Sequence, residues 1–285
     1  MLWGTIYFYE KNTFEPPHKY QWWLDDINWS YHQAKLSPGT TPVKIAIIDT
    51  GIDSTHPDLL GSVAEEFSVV GSQENLPDDF EHGTSIAGII AGMPSSKHGI
   101  QGIAPYSCIY SIDVSTSTKK IQIFDLVSAI EKAIELNVDI INISMGTPQN
   151  DPALHKAIQK AYKNGIIIVA SIGNDVSQTA LYPAMYDEVL AVGSLSKRHD
   201  ELYGQPFLKG VVYLPGENIL TTYSSPATTN KTISQSGTSL STPILTGIIA
   251  LVLQKDPTIP AESIYEYFLS SESHKWDLHM ILSNF

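Results

Sequence analysis

The alternation of apolar runs with amphipathic segments from residue 44 onward constrains the fold of this chain more than any other feature. Five near-continuous apolar runs have the composition of strands that are covered on both faces. They span residues 44–49, 108–114, 139–144, 166–171 and 189–194. Helical patterns lie between them. This alternation predicts an α/β fold in three layers, with a mostly parallel central sheet and helices on both faces.

Three segments predict helices. Asp151-Pro152 combines an N-cap residue with a proline in the first helical position, and Gly165 is a typical residue after a helix end. Residues 124–136 show an amphipathic stripe. Residues 240–254 are apolar almost all round, which predicts a buried helix. We expect Pro243 to lie in the first turn of that helix, where proline is tolerated.

Composition limits the partners. The 285 residues are 42% hydrophobic, which is enough for one large core. We expect one globular domain: a body of residues 43–285, with residues 1–42 as an arm packed on it. The net charge of −13 argues against nucleic acid and anionic membrane as partners. A single cysteine excludes an intrachain disulfide.

The chain shows no targeting or membrane signal. The N-terminal residues carry no basic segment and no small-residue cleavage site, so they do not have the pattern of a signal peptide. No apolar stretch approaches the roughly 18 residues that span a bilayer. We therefore expect a cytoplasmic protein that acts as a monomer.

Three polar residues stand at the ends of apolar elements: Asp49 ends a strand, His82 precedes a helix of small residues, and Ser239 opens the buried helix. Serine is a weak nucleophile at neutral pH. An imidazole must take its proton, and a carboxylate must hold the tautomer of that imidazole. The chain order of aspartate, histidine and serine is the order found in subtilisin.

The residues around these three positions resemble the subtilisin-like serine proteases. The resemblance rests on Asp49-Thr50-Gly51-Ile52-Asp53, on His82-Gly83-Thr84 and on residues 237–243, and it extends over residues 43–269. It implies a serine endopeptidase with Asp49, His82 and Ser239 as its triad. Residues 170–174 resemble the family segment that supplies the oxyanion-hole asparagine, which makes Asn174 a fourth catalytic residue.

The resemblance also implies where a peptide binds. An extended substrate is expected to add a strand to Ser144, Met145 and Gly146. The primary pocket would be walled by these residues and by Ser171, Ile172 and Gly173. Leu181 would lie near its floor and Asp175 at its rim. Lys119 and Lys120 fall near the stretch that pairs with upstream substrate residues, where they would favour acidic side chains. A solvated loop is the alternative for these two lysines.

We expect no cofactor and no metal. Asp58 matches a carboxylate that binds calcium in many subtilisins. The loop that would supply the other ligands, residues 93–99, offers no carboxylate or amide, and Lys97 introduces a cation there. Calcium prefers six to eight oxygen ligands.

Three functions remain open from the sequence. Only 48 residues precede Asp49, and Met1 has the appearance of a native start, so we expect neither a signal peptide nor a long inhibitory prodomain. A protease without that restraint must be restrained by specificity, which favours removal of the leader peptide from a lantibiotic (lanthipeptide) precursor. The alternatives are a general intracellular subtilisin of protein turnover and an inactive peptide-binding relative.

Overall fold

The computed structural model describes residues 20–29, 42–70, 81–96, 99–115, 122–175, 180–203, 207–225, 231–271 and 275–285. Its helices are α1 (Trp22–Asp26), α2 (Glu81–Ala91), α3 (Ile123–Glu135), α4 (Pro152–Lys163), α5 (Thr238–Lys255), α6 (Ala261–Ser270) and α7 (Leu278–Asn284). Its strands are β1 (Lys44–Asp49), β2 (Val63–Ser68), β3 (Cys108–Asp113), β4 (Ile140–Ile143), β5 (Ile167–Ser171), β6 (Leu190–Leu195), β7 (Val211–Pro215), β8 (Ile219–Thr222) and β9 (Thr232–Gln235).

A seven-stranded sheet in the order β2-β3-β1-β4-β5-β6-β7 forms the centre of the molecule. Every pairing within it is parallel. The five apolar runs of the sequence form β1, β3, β4, β5 and β6, which confirms the prediction of a parallel sheet. Strands β8 and β9 pair separately as an antiparallel ribbon.

Helices cover both faces of the sheet. One hydrophobic cluster joins α2 and α5 to the sheet and takes in residues of α1, α6 and α7. A second cluster on the other face joins the sheet to α3 and α4. The three-layer α/β architecture expected from the sequence is therefore confirmed. Asp151 caps α4 as predicted, because its carboxylate accepts hydrogen bonds from the backbone N–H groups of Ala153 and Leu154.

Helix α5 corrects two expectations. It has 18 residues and a mean hydropathy of 1.2, so an apolar segment of membrane-spanning length does exist among the described residues. This segment is 89% buried inside the protein, as a core helix is. The helix also begins at Thr238, so Pro243 lies beyond the first turn. The proline therefore removes an N–H that would otherwise bond to the carbonyl of Ser239, four residues earlier.

The described part of the N-terminal arm packs on the core. Trp23, Leu24 and Trp29 are buried in the same cluster as α2 and α5. The indole N–H groups of Trp23 and Trp29 donate to backbone carbonyls of Leu220 and Ile103. Residues 20–29 are therefore fixed to the body by apolar burial and by satisfied indole donors.

Asp58 is surrounded by hydrogen-bond donors. Its Oδ1 accepts from the Ser95 N–H at 2.7 Å and from the Ser95 hydroxyl at 2.6 Å. Its Oδ2 accepts from the Ile100 N–H at 2.9 Å. Donors occupy the positions where a calcium ion would need oxygen ligands. In the described part of the chain, no three His, Cys, Asp or Glu side chains are grouped to hold a metal. Lys97 lies outside the described residues. The residues present do not fit a calcium site at Asp58.

We expect the carboxylate of Asp58, rather than a metal, to hold this loop. The change Asp58→Asn places an amide N–H₂ against N–H donors in a buried site. The free energy of unfolding should fall by about 2–3 kcal/mol. Excess chelator should leave the melting temperature of the native protein unchanged. Calorimetry of both proteins, with chelator and with added calcium, tests this. A native melting temperature that falls with chelator and recovers with calcium would contradict it.

Candidate active site

The candidate catalytic residues meet at the carboxyl edge of the parallel sheet. Asp49 is the last residue of β1, a central strand, and it is 1% exposed. Catalytic groups of open α/β sheets gather at this edge, because the loops that follow the strands converge there. The Asp49 carboxylate accepts a hydrogen bond from the Thr50 N–H at 2.8 Å, which fixes its orientation.

His82 is joined to Asp49. Its Nδ1 lies 2.8 Å from Asp49 Oδ1 and 3.0 Å from Oδ2. Helix α2 begins at Glu81, so His82 is part of its first turn and does not precede it. A close approach of α2 to the turn after β1 makes the contact possible. A Cβ on Gly83 would lie 2.0 Å from the Gly51 carbonyl oxygen, so only glycine fits there.

The environment of His82 raises its pKa. Burial acts in the opposite direction, because it penalises the charged imidazolium. The negative charge of Asp49 and the hydrogen bond to it outweigh burial, so the pKa of His82 lies above its usual value of about 6.5. The side chain is still 33% exposed, which leaves the imidazole accessible to a substrate.

Ser239 and Asn174 border the same small space. A Cβ placed on Gly237 would lie 3.2 Å from Ser239 Oγ and 3.2 Å from Asn174 Nδ2. The side-chain oxygen Oδ1 of Asn174 accepts hydrogen bonds from the N–H and the hydroxyl of Thr238, each at 2.9 Å. Because its oxygen is held in this way, the amide N–H₂ of Asn174 points toward the serine side. Thr238, which sequence reasoning did not single out, therefore sets the orientation of Asn174.

The carbonyl that Pro243 leaves without a helical partner is bound by Ser144. The Ser144 hydroxyl donates to the Ser239 carbonyl oxygen at 3.0 Å. The end of β4 is therefore tied to the backbone of the candidate nucleophile. This bond connects the edge where substrate is expected to the residue that would attack it.

A buried polar chain continues behind Ser144. The Asn142 side-chain N–H₂ donates to the Ser144 hydroxyl at 3.0 Å, and the Thr246 hydroxyl donates to the side-chain oxygen Oδ1 of Asn142 at 2.8 Å. Asn142 and Thr246 are fully buried. Their bonds satisfy polar groups inside the core and fix the register of β4 against α5. A lone asparagine in the run Ile-Ile-Asn-Ile was the sequence signal for this contact.

Two backbone segments wall a slot beside Ser239. Residues 144–147 form one wall, and residues 171–174 form the other. Tyr182 closes one side by exchanging backbone hydrogen bonds with Thr147 at 2.8 and 2.9 Å. The Leu181 N–H donates to the Ile172 carbonyl at 3.0 Å, which sets Leu181 across the slot. No carboxylate lines these walls among the described residues, whereas Asp175 is exposed beyond them.

The remaining residues that the sequence predicts to contact substrate differ in whether the structure describes them and in where their side chains lie. The side chains of Met145 and Ile172 pack in the cluster under α3 and α4, so these residues offer the slot their backbone. Ser171 is buried at the end of β5. Lys119 and Lys120 lie outside the described residues, and their role stays a prediction from the sequence.

Comparisons with known proteins agree with this geometry. The Subtilase family model matches residues 40–279. Subtilisin DY from Bacillus licheniformis is 36% identical over 240 residues, which cover 82% of this chain and 85% of that protein. An intracellular serine protease from Paenibacillus polymyxa is 34% identical over 222 residues, which cover 74% and 67%.

Two solved structures are similar over most of this chain. Fervidolysin from Fervidobacterium pennivorans, a keratinolytic enzyme related to subtilisin, has a TM-score of 0.77 at 25% identity; the match covers 92% of this chain and 45% of that longer one. The prenylagaramide maturation protease PagA has a TM-score of 0.70 at 26% identity and covers 87% and 98%. The chain thus belongs to the subtilase family and is a subtilisin-type serine endopeptidase.

Proposed function

We propose that this endopeptidase acts through Asp49, His82 and Ser239, and that its substrate is the leader of a lantibiotic precursor. The observation that supports the triad is the hydrogen bond between His82 Nδ1 and Asp49. It makes Nδ1 the donor to a carboxylate. The other ring nitrogen, Nε2, is then free of a proton and can act as a base.

In the proposed reaction, His82 Nε2 takes the proton of Ser239 as its hydroxyl oxygen attacks the scissile carbonyl. The imidazolium is stabilised by Asp49, and it then gives the proton to the departing amine. The oxyanion is stabilised by the Asn174 amide together with the Ser239 backbone N–H. Ser239 lies in the first turn of an 18-residue helix, whose positive end also favours this developing charge. Water then attacks the acyl group on Ser239 while His82 Nε2 takes its proton. The imidazolium returns that proton to the Ser239 oxygen as the acyl group leaves.

The narrower proposal, removal of a lantibiotic leader, concerns which peptides the enzyme selects as substrates. The likeness that supports it is the one to PagA, because the match spans 98% of a protease named for the maturation of prenylagaramide. The neutral walls of the slot agree with it, since a buried carboxylate that selects arginine or lysine is not present among the described residues. Selectivity would then come from several subsites along an extended peptide, each contributing about 1–3 kcal/mol. We further propose that the enzyme works as a monomer in the cytoplasm.

This proposal predicts one cut where a general protease makes many. The enzyme is incubated with a modified lanthipeptide precursor and with unfolded casein at equal concentration, and products are followed by mass spectrometry. We expect a single cut at the junction of leader and core, with casein left largely intact. The Ser239→Ala variant is the control for contaminating proteases. Rapid digestion of casein at many sites would contradict leader removal and indicate a subtilisin of protein turnover.

A further inference from the structure

A groove with a volume of about 800 Å³ lies over the outer face of α6, between the ends of α4 and α7. Its floor is aromatic. Tyr162 of α4 packs edge-on against Tyr265, with ring centroids 5.2 Å apart, and Tyr267 packs edge-on against Phe285 at 5.1 Å. The volume falls within the range of about 300–1,000 Å³ that is usual for sites that bind other molecules.

Two carboxylates border this α6 groove. Glu262 and Glu266 are both exposed, line the groove and stand four residues apart on α6. Residues with this spacing lie on one face of a helix, with Cβ atoms about 5–6 Å apart. Among the residues that the structure describes, no positively charged side chain lines the groove, and neither glutamate takes part in an ion pair. The described surroundings therefore do not neutralise the two charges.

An aromatic floor beside carboxylates has the chemistry that binds a cation. Ring faces attract ammonium and guanidinium groups, and carboxylates form strong paired hydrogen bonds with arginine. The protein makes the same kind of contact internally, since Lys132 Nζ lies 4.5 Å from the ring centroid of Phe67, and Lys197 Nζ lies 5.4 Å from that of Trp22. Leu269, which is 39% exposed, adds apolar surface for the methylene stem of a basic side chain.

We infer that the α6 groove binds a basic segment of another polypeptide. A second copy of this chain does not suit the groove, because each copy carries a net charge of −13 and the copies repel one another. The lining residues of α6 run from Glu262 to Ser270, about 12 Å along the helix. An extended segment of about four residues covers that length. Its alternate side chains lie on one face about 6.6 Å apart, close to the spacing of the two glutamates, so arginine or lysine at alternate positions matches the groove.

The groove is remote from the catalytic edge of the sheet. Beneath it, the Tyr265 hydroxyl accepts a hydrogen bond from the N–H of Ile168, near the start of β5, whereas the catalytic residues lie beyond the opposite ends of the strands. A segment bound here leaves Ser239 accessible and raises the local concentration of the polypeptide that carries it. The inference goes beyond the proposed function, since it does not depend on which peptide bond is cut.

The test measures binding of a fluorescent peptide, Ala-Arg-Ala-Arg-Ala, by fluorescence anisotropy. The Ser239→Ala background keeps the peptide intact. Glu262→Gln combined with Glu266→Gln should raise Kd about 3- to 10-fold, because two exposed charge contacts are lost. The same double change should reduce the dependence of Kd on salt. Tyr267→Leu should raise Kd about 2- to 5-fold through loss of the ring face, whereas Tyr267→Phe keeps the ring and should bind as the native residue does.

Glu131→Gln combined with Glu135→Gln is the matched control. These glutamates have the same spacing on α3 and are also exposed, but they lie 3.7 and 3.5 Å from the amines of Lys160 and Lys132. The control changes the net charge equally, so Kd should stay near its native value. Hydrolysis of a neutral p-nitroanilide by the same variants with Ser239 restored shows that the fold is kept. Equal weakening in both double variants, no measurable binding of the peptide, or equally tight binding of the diamine putrescine would overturn the inference.

Discussion

Replacement of Ser239 by alanine is expected to lower kcat about 10⁶-fold, the loss measured for the same change in a subtilisin. The change removes the hydroxyl oxygen that borders the same space as Asn174 Nδ2 at the start of α5, and it adds no bulk to the surrounding packing. His82→Ala should cost about as much, because the serine cannot attack while it keeps its proton. Hydrolysis of a peptide p-nitroanilide measures the loss, and thermal melting shows that the fold is kept.

A double variant provides a second test of the same assignment. Residues that act as one unit are not additive, so Ser239→Ala combined with His82→Ala should be no slower than either single variant. Ser236→Ala is the matched control, since Ser236 is an exposed serine three residues earlier whose hydroxyl accepts a bond from the Asn218 N–H. Activity within tenfold of the native enzyme in Ser239→Ala would show that the nucleophile is assigned to the wrong residue.

The change Asp49→Asn is expected to lower kcat about 10⁴-fold. An asparagine amide keeps the shape of the carboxylate but can present an N–H₂ to the ring, which favours the tautomer that cannot act as a base. It also removes the negative charge that stabilises the imidazolium. Asp49 is buried, so solvent screens this charge only weakly in the native enzyme.

The same variant should shift the pH profile. His82 must be neutral to accept a proton, so kcat/KM of the native enzyme rises with pH through the pKa of His82, which is raised above 6.5. Without the charge of Asp49, burial alone acts on the imidazole, and burial lowers its pKa. The midpoint of the residual activity should therefore move to a lower pH. An unchanged midpoint in Asp49→Asn would show that Asp49 does not set the ionisation of His82.

Sequence patterns identified the central-sheet strands β1, β3, β4, β5 and β6, but they missed β7, which is also apolar and largely buried. They missed β2, whose Glu65 and Glu66 are exposed at the sheet edge and break any apolar run. They also missed the β8–β9 ribbon. The sequence predicted Pro243 in the first turn of its helix, because proline is common there. The structure has it deeper in α5, where the Ser144 hydroxyl donates to the Ser239 carbonyl that Pro243 cannot bind.

The candidate site was predictable in its residue types but not in its contacts. The order of Asp49, His82 and Ser239 and the family resemblance led to the proposed triad. Spacing along the chain could not show that His82 reaches Asp49, since that depends on how closely α2 approaches the turn after β1. The position of Leu181 near a pocket floor was expected. That its side chain lies close to both Gly146 and Gly173 depends on the distance between two segments, which only the packed structure gives.

Asp49 and Ser239 are far apart in the sequence, and this separation determines at what stage of synthesis the enzyme can become active. Asp49 and His82 are synthesised early, whereas Ser239 lies in the first turn of a helix that packs against β4, β5, β6 and β7. Domains are synthesised from the N-terminus at about 5–20 residues per second. A chain still on the ribosome before residue 238 lacks both the nucleophile and the helix that holds it. Prematurely terminated products of this kind are therefore proteolytically inert.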